Sequence, residues 1–296
     1  MAHAPLASLS ADALPAPRPA AGCEDVLRRN AVTVTGPEGA PTVVLAHGFG
    51  CDQTMWRHVA PLLAVDHRVV TFDYVGAGAS DLSCYDPVRY AGLDGYAKDL
   101  AEVLAALDLH GAVVVGHSVS GMISLRASLL APERIGALVM IAPSPRYLDD
   151  DGYRGGFSEA DVEGLLEVMA SNYLGWAEGL APAVMANPDR PELREELHES
   201  FLRTDHDIAR QFARATFFSD TRSELHQVAV PTLVVQALED VIVPPEVSAY
   251  LCERIPHCEL VVLDARGHYP HLSAPEETAG VVREFLARHL SNSPGR

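Results

Sequence analysis

Apolar positions along the chain follow two periodicities. Short β-branched and aliphatic runs, nearly unbroken by polar residues, recur at 42–46, 68–72, 112–115, 137–141, 232–237 and 259–263. Strands of a parallel sheet covered on both faces read this way, because neither side of the strand meets water. Between them, 94–107, 122–130, 245–255 and 275–290 carry apolar residues three and four positions apart, the spacing of one helical face. Asp94 and Ser273 are candidate amino-terminal caps, and Pro245 and Pro275 suit a first turn, where no backbone N–H is needed. The alternation predicts an α/β fold: a mostly parallel central sheet flanked by helices.

One stretch breaks the pattern. From 145 to 227 the strand signal disappears and helical amphipathicity dominates. A structureless loop of that length would be unusual in a compact domain, so the stretch is expected to be a helical insertion forming a lid over the sheet. The chain then divides into a disordered extension at 1–24, a core formed by 25–144 and 228–290, and the lid at 145–227. The Ala- and Pro-rich extension has neither the basic start nor the apolar block of a secretion signal. No segment repeats.

Composition narrows the partners. The 296 residues include 40 acidic and 22 basic side chains, a formal charge of −18. Such a surface repels phosphate backbones and anionic lipid, and no basic patch offsets it, so neither nucleic acid nor a membrane surface is expected as a partner. No apolar run reaches the roughly 18 residues of a membrane span. Cys23, Cys51, Cys84, Cys252 and Cys258 are odd in number and lack CxxC spacing. They read as reduced thiols of a cytoplasmic protein.

The strongest chemical signal is Gly116-His117-Ser118-Val119-Ser120, which follows a buried strand and opens a helix. Small residues at 116 and 120 permit the sharp turn that lifts a nucleophilic serine above a sheet, although the second small position is serine where glycine is commoner. A serine hydroxyl needs a base to take its proton, and the base needs a carboxylate to hold its tautomer. Asp240, just past the strand at 232–237, is the expected acid, with Glu239 as its rival. His268, after a glycine beyond the last strand, is the expected base, with His271 as its rival. The oxyanion of acyl transfer needs two donors. The Val119 amide and the Phe49 amide, in His47-Gly48-Phe49-Gly50, are the candidates. Gly76 and Gly78 suggest a dinucleotide loop, but Asp81 occupies the third glycine position, so no nucleotide cofactor follows. His268 and His271 lack further ligands, and no metal is expected.

With these residues placed, the chain resembles the α/β-hydrolase superfamily. More narrowly, it resembles the group containing the bacterial stress-response regulator RsbQ and the plant strigolactone and karrikin receptors. The resemblance rests on His47-Gly48-Phe49-Gly50-Cys51-Asp52-Gln53, Met55-Trp56, Phe72-Asp73-Tyr74-Val75-Gly76, Leu93-Asp94-Gly95-Tyr96 and Gly116-His117-Ser118-Val119-Ser120. It continues through Gly155-Gly156-Phe157, Ser171-Asn172-Tyr173, Phe218-Ser219-Asp220 and Gly267-His268. It spans about 25–290. Gly121, where these relatives usually carry alanine, and Leu180, where some carry an aromatic, depart from it. The resemblance implies a four-helix lid over an apolar pocket lined by Phe49, Tyr147, Phe157, Leu165, Trp176, Leu180 and Phe217. The expected triad predicts hydrolysis of a small, neutral, apolar ester or lactone, butenolide-like, through an acyl-enzyme; the resemblance suggests as the alternative ligand sensing with slow turnover and a signalling protein partner at the lid.

Overall fold

A computed structural model describes residues 23–290. The extension expected at 1–24 lies almost wholly outside them. Seven strands form one sheet: β1 (Thr33–Thr35), β2 (Thr42–Ala46), β3 (Arg68–Thr71), β4 (Ala112–His117), β5 (Ile135–Ile141), β6 (Thr232–Glu239) and β7 (Cys258–Arg266). Their spatial order is β1-β3-β2-β4-β5-β6-β7. All pairs are parallel except β1 with β3. Every residue of β4 is buried, which is why its Val-Val-Val run carries no polar alternation. β1 was not expected. Its three residues are all exposed, so no hydrophobic pattern marks it.

Short helices α1 (Val26–Arg29) and α2 (Ala60–Leu63) precede the long ones. α3 (Leu93–Ala106) and α4 (Val119–Leu130) pack on one another, and α9 (Pro245–Arg254) lies on β6 and β7. α10 (Pro270–Ser273) and α11 (Pro275–Leu290) end the described chain. Asp94 is not the cap expected of it; it sits in the first turn behind Gly92. Ser273 instead closes α10 and donates its hydroxyl to the Arg266 carbonyl.

Between β5 and β6 stand α5 (Glu159–Ser171), α6 (Tyr173–Met185), α7 (Pro191–Arg203) and α8 (His206–Phe217). Local sequence sets their starts. Ser158 and Asp161 form a reciprocal capping box on α5, the Asn172 side chain accepts from Gly175 on α6, and Asp205 accepts from Asp207 and Ile208 on α8. Pro191 opens α7. Buried aromatics on the inner sides, Tyr173, Trp176, Phe201, Phe212 and Phe217, join the main core.

The expectation of reduced thiols differs from the structure. Cys23 pairs with Cys84 and Cys252 with Cys258, at Cα separations of 5.6 and 5.0 Å, leaving Cys51 free and buried. CxxC spacing could not reveal these pairs: the first joins residues 61 apart, brought together only by the fold, and the second spans the turn between α9 and β7. Near the first, the buried Asp99 carboxylate accepts from Arg89, Arg29 and Tyr90 and so ties α1 to α3.

Candidate active site

The break between β4 and α4 puts Ser118 at φ 55°, a left-handed conformation that a residue with a Cβ enters only when its surroundings enforce it. One hydrogen bond holds it and one glycine permits it. The Ser118 amide donates to the Ile141 carbonyl at 2.7 Å, and a Cβ at Gly116 would stand 2.4 Å from the Ser120 carbonyl oxygen. The turn therefore leaves no room for a larger residue at 116.

His268 Nε2 lies 2.7 Å from Ser118 Oγ, and His268 Nδ1 lies 2.8 Å from Asp240 Oδ2. A carboxylate only accepts, so Nδ1 carries the hydrogen and Nε2 is left bare toward the serine. The other carboxylate oxygen accepts from the Ile242 and Val243 amides at 2.8 and 3.2 Å, and the Asp240 side chain is fully buried. Glu239, the rival acid, is exposed and faces Arg266. His271, the rival base, points away. It is fully buried in α10 with its ring 4.7 Å from Trp56 and 4.5 Å from His117, and neither ring nitrogen has a partner among the described residues. Burial pushes its pKa down to about 3, so it is neutral.

The loop holding His268 is pinned from two sides. His117 Nε2 donates to the His268 carbonyl at 2.9 Å, and the His268 amide donates to the carbonyl of Val184, near the end of α6, at 2.8 Å. Burial holds the His117 imidazole well below its ordinary range, in keeping with a neutral donor.

Above Ser118 lies a cavity of about 30 Å³. Phe49, Tyr147, Leu180, Val184, Phe201, Thr216, Phe217, Ile242 and Tyr269 wall it together with Ser118 and His268. The structure thus brings four of the seven expected lining residues to the cavity: Phe49, Tyr147, Leu180 and Phe217. The other three stand behind them. Trp176 packs edge-on to Phe49 at 6.1 Å, Phe157 meets Phe217 at 5.8 Å, and Leu165 is half-buried against the core. Val184, Phe201, Thr216, Ile242 and Tyr269 were missed. Ile242 and Tyr269 each lie within two residues of Asp240 or His268, a proximity that could have flagged them. Thr216 had no such signal; its buried Oγ1 has no hydrogen-bond partner among the described residues. Tyr147 OH reaches Ser118 Oγ at 3.3 Å, and burial pushes its phenol up, so it stays protonated.

Fold and site together define a serine hydrolase of the α/β type. The chain belongs to the alpha/beta hydrolase family, whose model matches residues 43–281. It is 39% identical over 255 residues to the Karrikin insensitive 2 receptor IA of Petunia hybrida, covering 86% of this chain and 92% of the receptor. It is 38% identical over 265 residues to the Strigolactone esterase D14 of Arabidopsis thaliana, covering 89% and 98%. The solved structure of a hydrolase from Oleispira antarctica matches with a TM-score of 0.87 at 44% identity, covering 91% of this chain and 97% of that one.

Proposed function

We propose that the chain hydrolyses a small, neutral, apolar ester or lactone of the butenolide kind through an acyl-enzyme on Ser118. The observation that carries this reading is the unbroken chain of hydrogen bonds from Asp240 through His268 to Ser118, opening onto an apolar cavity. Ser118 attacks the carbonyl while His268 takes its proton, and Asp240 stabilises the resulting imidazolium. The Val119 and Phe49 amides hold the oxyanion. His268 then returns the proton to the leaving oxygen, and water repeats the sequence to release the acid. No Arg or Lys lines the cavity, so an anionic ligand would be desolvated without a partner and is rejected. The unpaired Thr216 hydroxyl offers a second ligand oxygen a donor.

A panel of p-nitrophenyl acetate, butyrate and palmitate with a butenolide probe tests the reading. Acetate, butyrate and butenolide should be turned over and palmitate excluded; palmitate cleaved faster than acetate would mean an open lipase-like groove.

A second reading is a ligand sensor with the helices at 145–227 acting as a lid that binds a signalling protein. The likeness to a karrikin receptor favours it. Turnover separates the two, since an enzyme should reach roughly 1 to 10³ per second. No helix among the described residues is long and apolar enough to cross a membrane. We place the chain in the cytoplasm, where both cysteine pairs would be reduced. Alkylation under denaturing conditions straight from cells decides: labelling of one cysteine rather than five would remove that placement.

A further inference from the structure

The elbow carries serine at position 120 where glycine is commoner, and the hydrolytic steps above make no use of its hydroxyl. Ser120 is fully buried. Its Oγ donates to the His47 carbonyl, and the Tyr74 hydroxyl lies 3.1 Å away as the remaining partner. The residue two places after the nucleophile is thereby bonded to the backbone of the loop that bears Phe49.

That bond acts together with a second one. His47 Nε2 accepts the Tyr74 amide at 3.2 Å, so Nδ1 carries the hydrogen, and it donates to the Gly48 carbonyl at 2.9 Å. Two successive carbonyls, of His47 and Gly48, are held by side chains. A trans peptide is planar, and its N–H points opposite to its C=O. Fixing the His47 carbonyl toward Ser120 sets the plane of the His47–Gly48 peptide, and fixing the Gly48 carbonyl on the imidazole sets that of the Gly48–Phe49 peptide. The direction of the Phe49 N–H follows. Packing supports the same geometry: a Cβ at Gly48 would stand 2.4 Å from His117 Nδ1, so the loop lies directly against the elbow.

We propose that Ser120 is a positioning residue, whose hydroxyl locks the His47–Phe49 loop to the elbow and so presets the Phe49 amide for the oxyanion. It touches no reacting atom. Its effect belongs to the tetrahedral state, where the oxyanion forms, and not to the bound substrate. This rests on the serine-hydrolase reading, and the parent protein's cleavage of p-nitrophenyl acetate tests that reading separately.

The test is Ser120→Ala alongside Ser120→Gly, the commoner elbow residue, which keeps the proposal falsifiable where alanine fails to fold. Rates are taken per active site, titrated with a fluorophosphonate, so that misfolded protein does not count. Both variants should lose about tenfold in kcat with KM within twofold, and affinity for a boronic acid that forms a tetrahedral adduct on Ser118 should fall by the same factor. A purely structural hydroxyl would lower the melting temperature and leave kcat per titrated site and boronate affinity within twofold of the parent, and that result overturns the proposal. A parent with no hydrolysis at all would instead sink the hydrolase reading.

Discussion

At Ser118 strain and chemistry share one residue. A left-handed serine costs about 1–3 kcal/mol, and here it is held by the Ile141 carbonyl and permitted by the lack of a side chain at Gly116. Ser118→Ala keeps the backbone and removes only the hydroxyl proposed as nucleophile, so it should fold as the parent does and lose hydrolysis by about 10³-fold or more. Activity within tenfold of the parent would show that another group attacks. Asp240→Asn should cost a similar factor, because an amide at 240 favours the wrong imidazole tautomer for accepting the Ser118 proton. The grouping of these three proposed triad residues was legible because such chemistry imposes local syntax: small residues about the serine, an acid after a strand, a histidine after a glycine. His271 was not. Sequence offered it only as a rival base to His268, whereas tertiary packing buries it between Trp56 and His117.

At the scale of elements, the end of α6 and the loop of His268 form one unit. The Val184 carbonyl takes the His268 amide, and Asn187 Nδ2 donates to the Met185 and Arg266 carbonyls. Gly267 stands between at φ 84°, and a Cβ there would come 2.1 Å from the Met185 carbonyl oxygen. Gly267→Ala should therefore push α6 and His268 apart. We expect kcat to fall about 10- to 100-fold, as misplacing a catalytic group by about 1 Å would cause. Stability should fall by about 2 kcal/mol, from left-handed strain plus the clash. Steady-state kinetics and urea unfolding check both, and parental kcat would separate α6 from the catalytic geometry. Although the edge strand β7 exposes Leu260 and Val262 and is marked only by its aliphatic run, sequence placed all six strands and the flanking helices to within three residues at each end, and the other five strands are legible because their burial leaves a nearly continuous apolar trace. It could not show which helix of 145–227 reaches the base, since that contact runs through backbone carbonyls that carry no side-chain signal.

At the scale of the whole molecule, acid sensitivity follows from the two buried neutral histidines. His271 titrates near 3 and His117 far below its ordinary range, whereas both would titrate near 6.5 in an unfolded chain. As pH drops below about 6.5 the unfolded chain takes up protons that the folded one refuses, so stability is lost progressively toward pH 3 and regained above 6.5. By pH 5 His271 alone should account for about 2 kcal/mol. His271→Phe keeps a ring against Trp56 and cannot titrate. Its loss of unfolding free energy between pH 7 and pH 5 should be smaller than the parent's by about that amount, and an equal loss would refute the assignment. The small cavity bears on time as well as size. At about 30 Å³ it lies far below the roughly 300 Å³ of an ordinary ligand site, and we propose that the surrounding helices part to admit a substrate. If that happens in about one molecule in a hundred, the measured affinity is about a hundredfold weaker than the intrinsic one, and a substitution that merely loosens the helices would tighten apparent binding without adding a contact.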